Sequence, residues 1–189
     1  MDAYREWADT YDGDLLDAMG YVAPALASEA LELYLEDRRK TVLDVGCGTG
    51  IVGEILHGRG YRKIDGLDYS LDMLRKASEK GVYRELLRAD LRKTIDVPAN
   101  RYDAIISVGT FTIGHVGPDA FRELIRITKP DGFICATVRM EAWISESFRD
   151  AMAAMENEGL WQLEELRSAP YIREDESSCK LCVYRISAR

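Results

Sequence analysis

Residues 41–50 read T-V-L-D-V-G-C-G-T-G, and this stretch decides the fold class. Its first half, Thr41–Val45, is a short apolar run of the kind that forms a buried strand. Glycines then follow at alternate positions, as Gly46, Gly48 and Gly50. Glycine lets the backbone turn sharply and lets a ligand approach the chain closely. The stretch therefore predicts a strand that ends in a ligand-binding loop.

The glycine loop does not match the two common phosphate-binding loops. A dinucleotide fingerprint that starts at Gly46 and Gly48 requires glycine or alanine at the position of Ile51, which also counts against a nicotinamide-dependent dehydrogenase. The nucleoside-triphosphate loop requires Gly-Lys followed by Ser or Thr, and Gly50 is followed by isoleucine instead. Asp44, just ahead of the loop, would repel a phosphate and attract a cation. The loop is therefore expected to bind a ligand other than a phosphate chain.

Outward from this loop, apolar runs that predict strands alternate with segments of helical periodicity. Such alternation predicts an α/β open sheet with helices on both faces. Two helical segments precede the alternation, one with Tyr4 and Tyr11 on a single face and one that starts at Pro24. The last two strands have no helix between them, so we expect them to pair antiparallel at one edge. The predicted strands span 41–45, 63–67, 82–88, 102–108, 133–138, 160–166 and 180–186, and the predicted helices span 51–56, 71–80, 118–128 and 143–158.

Several local signals mark where these elements begin, end or turn. Ser70 is a suitable N-cap for the helix that follows it, and Gly81 is suited to end that helix. Pro118 is suited to a first helical position. The sequence Pro-Asp-Gly at 130–132 predicts a tight turn, because proline presets one φ angle and Gly132 permits a positive one.

Polar residues stand at the predicted carboxyl ends of several strands. In an open α/β sheet the ligand lies outside these ends, at the point where the strand order reverses. Asp68 ends the second strand and can accept hydrogen bonds from both hydroxyls of a ribose. Asp90 can accept a hydrogen bond from an adenine amino group while Leu91 covers the ring. Ser107 and Val108 end the fourth strand at the centre of the sheet, beside the expected reaction site.

In this order and spacing, the runs resemble the class I S-adenosylmethionine-dependent methyltransferases. The resemblance covers about residues 1–140 and implies a Rossmann-like fold, with a seven-stranded, mostly parallel sheet, an antiparallel edge pair and helices on both faces. The runs that carry it are Val-Leu-Asp-Val-Gly-Cys-Gly-Thr-Gly at 42–50, Gly-Leu-Asp-Tyr-Ser at 66–70, Arg-Ala-Asp-Leu at 88–91, Tyr-Asp-Ala-Ile-Ile-Ser-Val-Gly at 102–109 and Thr-Lys-Pro-Asp-Gly-Phe at 128–133.

A narrower resemblance is to the methyltransferase-like proteins of the Williams–Beuren syndrome region. It rests on Trp-Ala-Asp-Thr-Tyr-Asp at 7–12, Gly-Tyr-Val-Ala-Pro at 20–24 and Val-Gly-Thr-Phe-Thr-Ile-Gly-His-Val at 108–116. The methyl acceptor does not follow from this resemblance.

The wider resemblance implies a site for S-adenosylmethionine and its product, S-adenosylhomocysteine. The glycine loop would contact the methionine part through its backbone, Asp68 would hold the ribose, and side chains after the second and third strands would surround the adenine. Two aromatic residues of the first helical segment would close over the cofactor, although packing within an amphipathic helix explains them equally well. The expected cofactor contacts are Trp7, Tyr11, Asp44, Gly46, Cys47, Gly48, Gly50, Asp68, Tyr69, Met73, Asp90, Leu91, Ser107 and Val108.

Few residues outside the cofactor motifs suggest chemistry. His115 follows the central strand and has a side chain suited to deprotonating an acceptor, which makes it the candidate catalytic residue, although a lone histidine is commonly structural. Arg139 follows the fifth strand and can pair with an anionic acceptor or remain solvated. Cys179 and Cys182 have the spacing of a metal or redox pair, but on a strand their side chains point to opposite faces, so neither role is expected.

Amino-acid composition and charge limit the binding partners and the domain organisation that can be expected. With 189 residues, a hydrophobic share of 47% and a charged share of 31%, the chain is expected to form one domain. We divide it into a helical lid at 1–38, a cofactor-binding core at 39–140 and a C-terminal helix with edge strands at 141–189. The formal charge of −8 and pI of about 4.9 disfavour nucleic acid and anionic membranes. The four cysteines suit buried thiols in a reducing compartment, so a cytoplasmic location is expected.

The sequence says least about the methyl acceptor. The chain has no Asn/Asp-Pro-Pro-Tyr/Phe run after the fourth strand, which argues against amino-group methylation of adenine or glutamine, and no Pro-Cys pair for attack on a pyrimidine. A small-molecule acceptor is the first hypothesis and a protein side chain the second. A module that binds S-adenosylmethionine or S-adenosylhomocysteine without catalysis stays open as an alternative. No metal is expected.

Overall fold

The computed structural model describes residues 20–145 and 147–188, which build a seven-stranded sheet in the order β3-β2-β1-β4-β5-β7-β6. The strands are β1 (Thr41–Val45), β2 (Lys63–Asp68), β3 (Leu86–Arg88), β4 (Tyr102–Phe111), β5 (Thr128–Arg139), β6 (Trp161–Ile172) and β7 (Ser177–Ile186). The helices are α1 (Ala23–Tyr34), α2 (Ile51–Gly58), α3 (Leu71–Glu79), α4 (Ala120–Ile127), α5 (Met140–Ser145) and α6 (Phe148–Asn157).

The pairing of the strands confirms the predicted fold class. Strands β1 to β5 are parallel to one another, whereas β7 runs antiparallel to both β5 and β6. The chain passes outward from β1 to β2 and β3, then returns to place β4 on the other side of β1. The strand order therefore reverses between β1 and β4, which is where an open α/β sheet binds its ligand.

Two apolar cores cover the two faces of the sheet. On one face, α4 and α6 contribute Phe121 and Phe148, whose rings pack with Phe111 and Trp161. On the other face, α1 and α2 pack through a second set of buried residues that includes Leu31. Because parallel strands are buried on both faces, the strands read as nearly continuous apolar runs.

Strand β1 has one polar side chain inside this apolar environment. Val42 faces the core beneath α1 and α2, and Leu43 and Val45 face the opposite core. Asp44 lies between them in the alternation and is only 1% exposed. Burial of a carboxylate costs free energy unless the carboxylate is paired or hydrogen-bonded, so the partners of Asp44 have to be identified.

Several predicted element boundaries differ from the structure. Strands β4 to β7 all extend beyond their predicted spans, which were 102–108, 133–138, 160–166 and 180–186. The third strand was expected at 82–88, but only Leu86–Arg88 pair with β2. The helix expected at 143–158 is two helices, and the residue before α6, Ser147, has a φ of 57° that no helical residue adopts. Helix α4 begins at Ala120, two residues after Pro118. Ser70 does cap α3, because its hydroxyl accepts a hydrogen bond from the Met73 amide.

In the turn at 130–132, the residue with a positive φ angle is not the glycine that the sequence predicted. The positive φ of 60° belongs to Asp131 and not to Gly132. The glycine is needed for close packing instead, because a Cβ there would lie 2.7 Å from the Asp103 carbonyl oxygen and 2.8 Å from that of Lys129. The segment forms an irregularity in the β4–β5 pairing, where Tyr102 pairs with Thr128 but Ala104 pairs with Phe133.

No helix in the two described ranges, 20–145 and 147–188, has the length and apolar character needed to cross a membrane.

We predict that Gly132→Ala lowers the free energy of unfolding by about 1–3 kcal/mol, the usual cost of forcing extra atoms into a packed site. Gly58→Ala is the matched control, because a Cβ at Gly58 would meet no atom within 4 Å. Urea unfolding at equilibrium measures both values. Equal stabilities for the two variants would contradict the packing role of Gly132.

Candidate functional site at the carboxyl ends of the strands

The glycine loop is folded back against strand β2. The amides of Gly46 and Cys47 donate to the carbonyl oxygen of Leu67 over 2.7 and 3.0 Å, and the Gly50 amide donates to the Cys47 carbonyl over 2.8 Å. Gly46, Gly48 and Gly50 all have positive φ angles, of 68°, 53° and 95°. A Cβ on Gly48 would meet no atom within 4 Å, so open space borders the loop at this residue. The backbone of the loop therefore borders open space at Gly48.

The end of strand β4 closes onto the end of β1. The hydroxyls of Ser107 and Thr110 both donate to the carbonyl oxygen of Val45, over 2.9 and 3.1 Å. A Cβ on Gly46 would lie 2.0 Å from the Thr110 hydroxyl oxygen, so only glycine fits there. These contacts fix the geometry of the point where the strand order reverses.

Asp68 holds the loop from the side of β2. One carboxylate oxygen accepts a hydrogen bond from the Gly48 amide over 2.9 Å, and the other accepts from the Ser70 amide over 2.8 Å. Partial burial raises the pKa of this carboxyl, and the backbone hydrogen bonds oppose that shift. A third backbone hydrogen bond comes from Tyr69, so the carboxylate retains acceptor capacity for one further donor, such as a ribose hydroxyl.

Asp44 is bound by a tyrosine that sequence reasoning missed. The Tyr83 hydroxyl donates to one oxygen of the Asp44 carboxylate over 2.6 Å, and the other oxygen is buried without a partner. Burial raises the pKa of Asp44 to about 7, the nearby charge of Asp68 adds to the shift, and the bond from Tyr83 opposes it. Burial also raises the pKa of Tyr83 far above its ordinary value, so this hydroxyl remains a proton donor.

Three glycines make room for the ring of Tyr83. A Cβ on Gly53 would lie 2.3 Å from its hydroxyl oxygen, and a Cβ on Gly50 or Gly66 would lie 3.1 Å from the nearest ring atom. Gly53 is inside a helix and Gly66 inside a strand, where glycine is locally unfavourable. Those two glycines were the available signal that a large side chain approaches the backbone here.

The other predicted cofactor contacts occupy different environments. Tyr69 is exposed, whereas Met73 is buried in the first turn of α3. Leu91 belongs to the core beside α4, Val108 belongs to the core beside α1, and the Cys47 side chain is buried, so that only its backbone is available to a ligand. Ser107 is fully buried and its hydroxyl is bonded to Val45.

Asp90 is held by a neighbouring arginine. Its carboxylate accepts from the Arg92 guanidinium over 2.9 and 3.0 Å and from the Arg92 amide over 3.1 Å. These bonds lower the pKa of Asp90 and keep it ionised. An adenine amino group would have to bind a remaining lone pair of this carboxylate.

The remaining candidates are spread over the molecule. His115 is exposed on the loop between β4 and α4, and its amide donates to the Thr112 carbonyl. Trp7 and Tyr11 lie outside the described residues. Cys179 and Cys182 are buried in cores on opposite faces of the sheet, which agrees with the alternation expected on a strand.

Comparisons with known proteins agree with the fold. A family model described as a methyltransferase domain matches residues 42–132. Methyltransferase-like protein 27 of Homo sapiens is 33% identical over 165 residues, which are 84% of this chain and 66% of the human protein. The solved structure of a Methanococcus maripaludis protein assigned as an S-adenosyl-L-methionine-dependent methyltransferase has a TM-score of 0.71 and 17% identity, and the match covers 98% of this chain and 94% of that one.

The chain carries a class I methyltransferase domain.

A second relative of this methyltransferase domain is named as an RNA methyltransferase. The 18S rRNA (guanine(1575)-N(7))-methyltransferase of Saccharomyces cerevisiae is 33% identical over 88 residues, which are 47% of this chain and 32% of the yeast protein. The chain thus spans 66% of the human relative's length and about a third of the yeast relative's.

S-adenosylmethionine is the cofactor expected for this methyltransferase domain, and the residues present fit it. The cofactor carries a positive sulfonium and an ammonium group, and the site contains the carboxylates of Asp44 and Asp68 on the two strands that hold the loop. Asp68 retains acceptor capacity for a ribose hydroxyl, and open space borders Gly48. The cavity of about 340 Å³ lined by Thr41, Arg84, Glu85, Arg101 and Tyr102 lies at the opposite ends of β1 and β4, so we assign it no role in this site.

We predict that Asp44→Asn raises the stability of the cofactor-free domain at pH 8 and changes it little at pH 4. The folded pKa of about 7 lies above the ordinary value of 3.8. The contribution of this carboxyl to stability is therefore fully present below about 3.8 and is lost as the pH rises through about 7. Thermal unfolding midpoints between pH 4 and pH 8 measure the effect.

Tyr83→Phe is the matched control for Asp44→Asn. It keeps the ring between the glycines but removes the hydrogen bond to Asp44, so its stability should fall most at pH 8. An unfolding midpoint of Asp44→Asn below that of the parent at pH 8 would contradict the assignment.

Proposed function

We propose that the protein is an S-adenosylmethionine-dependent methyltransferase whose acceptor is a small molecule. The observation that carries this proposal is the arrangement of Asp44 and Asp68 on either side of an open glycine loop, at the point where the strand order reverses. A cationic nucleoside is the ligand class that two carboxylates and a ribose-binding position suit. The similarity to methyltransferase-like protein 27 supports the same reaction class.

Bound at this site, S-adenosylmethionine would supply an electrophilic methyl group for attack by a lone pair of the acceptor. The protein's own task is to hold the two reactants in line and to exclude water. A general base is needed only for an acceptor that must lose a proton before attack. His115 is the candidate for that role, and its exposed position on the loop after β4 leaves it able to approach an acceptor.

A small molecule is favoured over RNA by charge. The protein has a net charge of −8, and the site itself contributes the carboxylates of Asp44, Asp68 and Asp90. An RNA acceptor would have to bring phosphates toward this edge of the sheet. Methylation of a protein side chain, and binding of S-adenosylmethionine without catalysis, are the remaining alternatives. We also propose a cytoplasmic location.

The first test is a calorimetric titration with S-adenosylmethionine, S-adenosylhomocysteine and NADH. We expect micromolar affinity for both sulfur ligands and none for NADH, because the loop lacks the dinucleotide fingerprint. Tight binding without turnover on any acceptor would indicate a non-catalytic module. Absence of binding by both sulfur ligands would reject the proposal.

Asp68→Ala is predicted to weaken the binding of S-adenosylhomocysteine by about 1–3 kcal/mol, since it removes the expected ribose acceptor. Asp72→Ala is the matched control, because Asp72 is paired with Arg75 on the surface of the neighbouring helix. Circular dichroism establishes that both variants are folded. Equal affinities for the two would remove Asp68 from the site.

A further inference from the structure

Arg139 is the last residue of β5, at the same edge of the sheet as the proposed cofactor site. Its side chain is 23% exposed, and the guanidinium carbon lies 4.5 Å from the centre of the Tyr171 ring. A guanidinium stacked on an aromatic face is held in one orientation without using its hydrogen-bond donors. The stacking therefore fixes the direction in which the donors of Arg139 point.

The hydroxyl end of the same tyrosine ring lies at the end of β4. Tyr21 donates to the Tyr171 hydroxyl over 3.1 Å, and a Cβ on Gly109 would lie 2.9 Å from the Tyr21 oxygen and 3.1 Å from the Tyr171 oxygen. The next residue, Thr110, contacts Gly46 of the cofactor loop. Tyr171 thus contacts Arg139 through the face of its ring, and its hydroxyl lies near the point where the strand order reverses.

Arg139 has looser partners than comparable arginines. Its two bonds to Glu141 are both 3.3 Å long, and its bond to Ser177 is 3.5 Å. Other arginines of the described residues that bind a carboxylate through two donors do so at 3.1 Å or less, as Arg84 does with Asp65 and Arg122 with Glu158. Charge-assisted bonds of full strength are about 2.7–2.9 Å long. A competing carboxylate could therefore replace Glu141 at small cost.

We infer that Arg139, Tyr171, Tyr21 and Gly109 form the acceptor pocket, and that the acceptor is a small carboxylate that carries an amine, hydroxyl or thiol nucleophile. This inference rests on the proposed methyltransferase function. A single arginine with Glu141 and Asp175 in its electrostatic environment suits one negative charge, which favours a carboxylate over a phosphate dianion.

Each residue of this pocket has a defined task. Arg139 binds the carboxylate, and the two tyrosine hydroxyls, whose oxygens occupy the space beside Gly109, orient the nucleophile at the end of β4. During transfer the nucleophile's lone pair would form the new bond to the methyl carbon, and the carbon–sulfur bond would break with its electrons on sulfur. An amine would lose its proton to bulk water after the product leaves, whereas a hydroxyl or thiol would first lose its proton to His115, the candidate base.

The test uses four carboxylates with their neutral amides: glycine and glycinamide, anthranilate and anthranilamide, 4-hydroxybenzoate and 4-hydroxybenzamide, mercaptoacetate and mercaptoacetamide. Saturation-transfer NMR measures their binding to the full chain saturated with S-adenosylhomocysteine, and transfer of a labelled methyl group measures turnover. We expect at least one carboxylate to bind while its amide does not. Equal binding within every pair, or no binding by any carboxylate, would overturn the inference.

Arg139→Gln should weaken carboxylate binding at least tenfold and raise KM with little change in kcat, while S-adenosylhomocysteine affinity stays the same. Arg122→Gln is the control, since its pair with Glu158 is exposed and distant from the pocket. Glu141→Gln should tighten carboxylate binding severalfold, and it tests the inference even if Arg139→Gln fails to fold. Carboxylate binding unchanged in Glu141→Gln would contradict the assignment.

These outcomes separate the acceptor pocket from the proposed function. Binding of S-adenosylmethionine and S-adenosylhomocysteine without carboxylate preference rejects the pocket alone. Failure of both sulfur ligands to bind rejects the proposed function itself.

Discussion

The hydrogen bond from Tyr83 to Asp44 is the contact on which the glycine loop depends. Its 2.6 Å length places a tyrosine ring against the start of α2 and the middle of β2, in space that exists only because Gly53 and Gly66 lack side chains. The same bond supplies the carboxylate with a partner inside an apolar core. Loop, helix and strand are thus held by one side chain, which lies in the irregular segment before β3.

Burial of Asp44 opposes folding at neutral pH and favours the binding of a cation. The carboxyl has a pKa of about 7, so charging it costs free energy that the Tyr83 bond offsets only in part. A cationic ligand would stabilise the charged form of Asp44, and this stabilisation would contribute to the ligand's affinity. Sites that bind charged ligands commonly sacrifice some stability of the empty protein in this way.

The sequence allowed the fold class and the loop of the site to be predicted because both depend on neighbouring residues. Periodicity located β1, β2 and β4 within a few residues, and Ser70 was correctly predicted as a cap. The position of Tyr83 could not be predicted, because it depends on which strands become neighbours. The turn at 130–132 was misassigned for the same reason: the carbonyl oxygen of Asp103 on β4, and not the local φ, is what requires Gly132.

The two halves of the proposed active site differ in how the chain builds them. The cofactor half consists of residues that follow β1 and β2 directly, so any change of spacing would disturb a strand end. The acceptor half combines Tyr21 before α1, Gly109 in β4 and Tyr171 in β6, which meet only through the tertiary fold. Side chains contributed by separate elements can change without disturbing a strand end. This difference explains why methyltransferases of this fold can share a recognisable cofactor loop while their acceptors remain unpredictable from sequence.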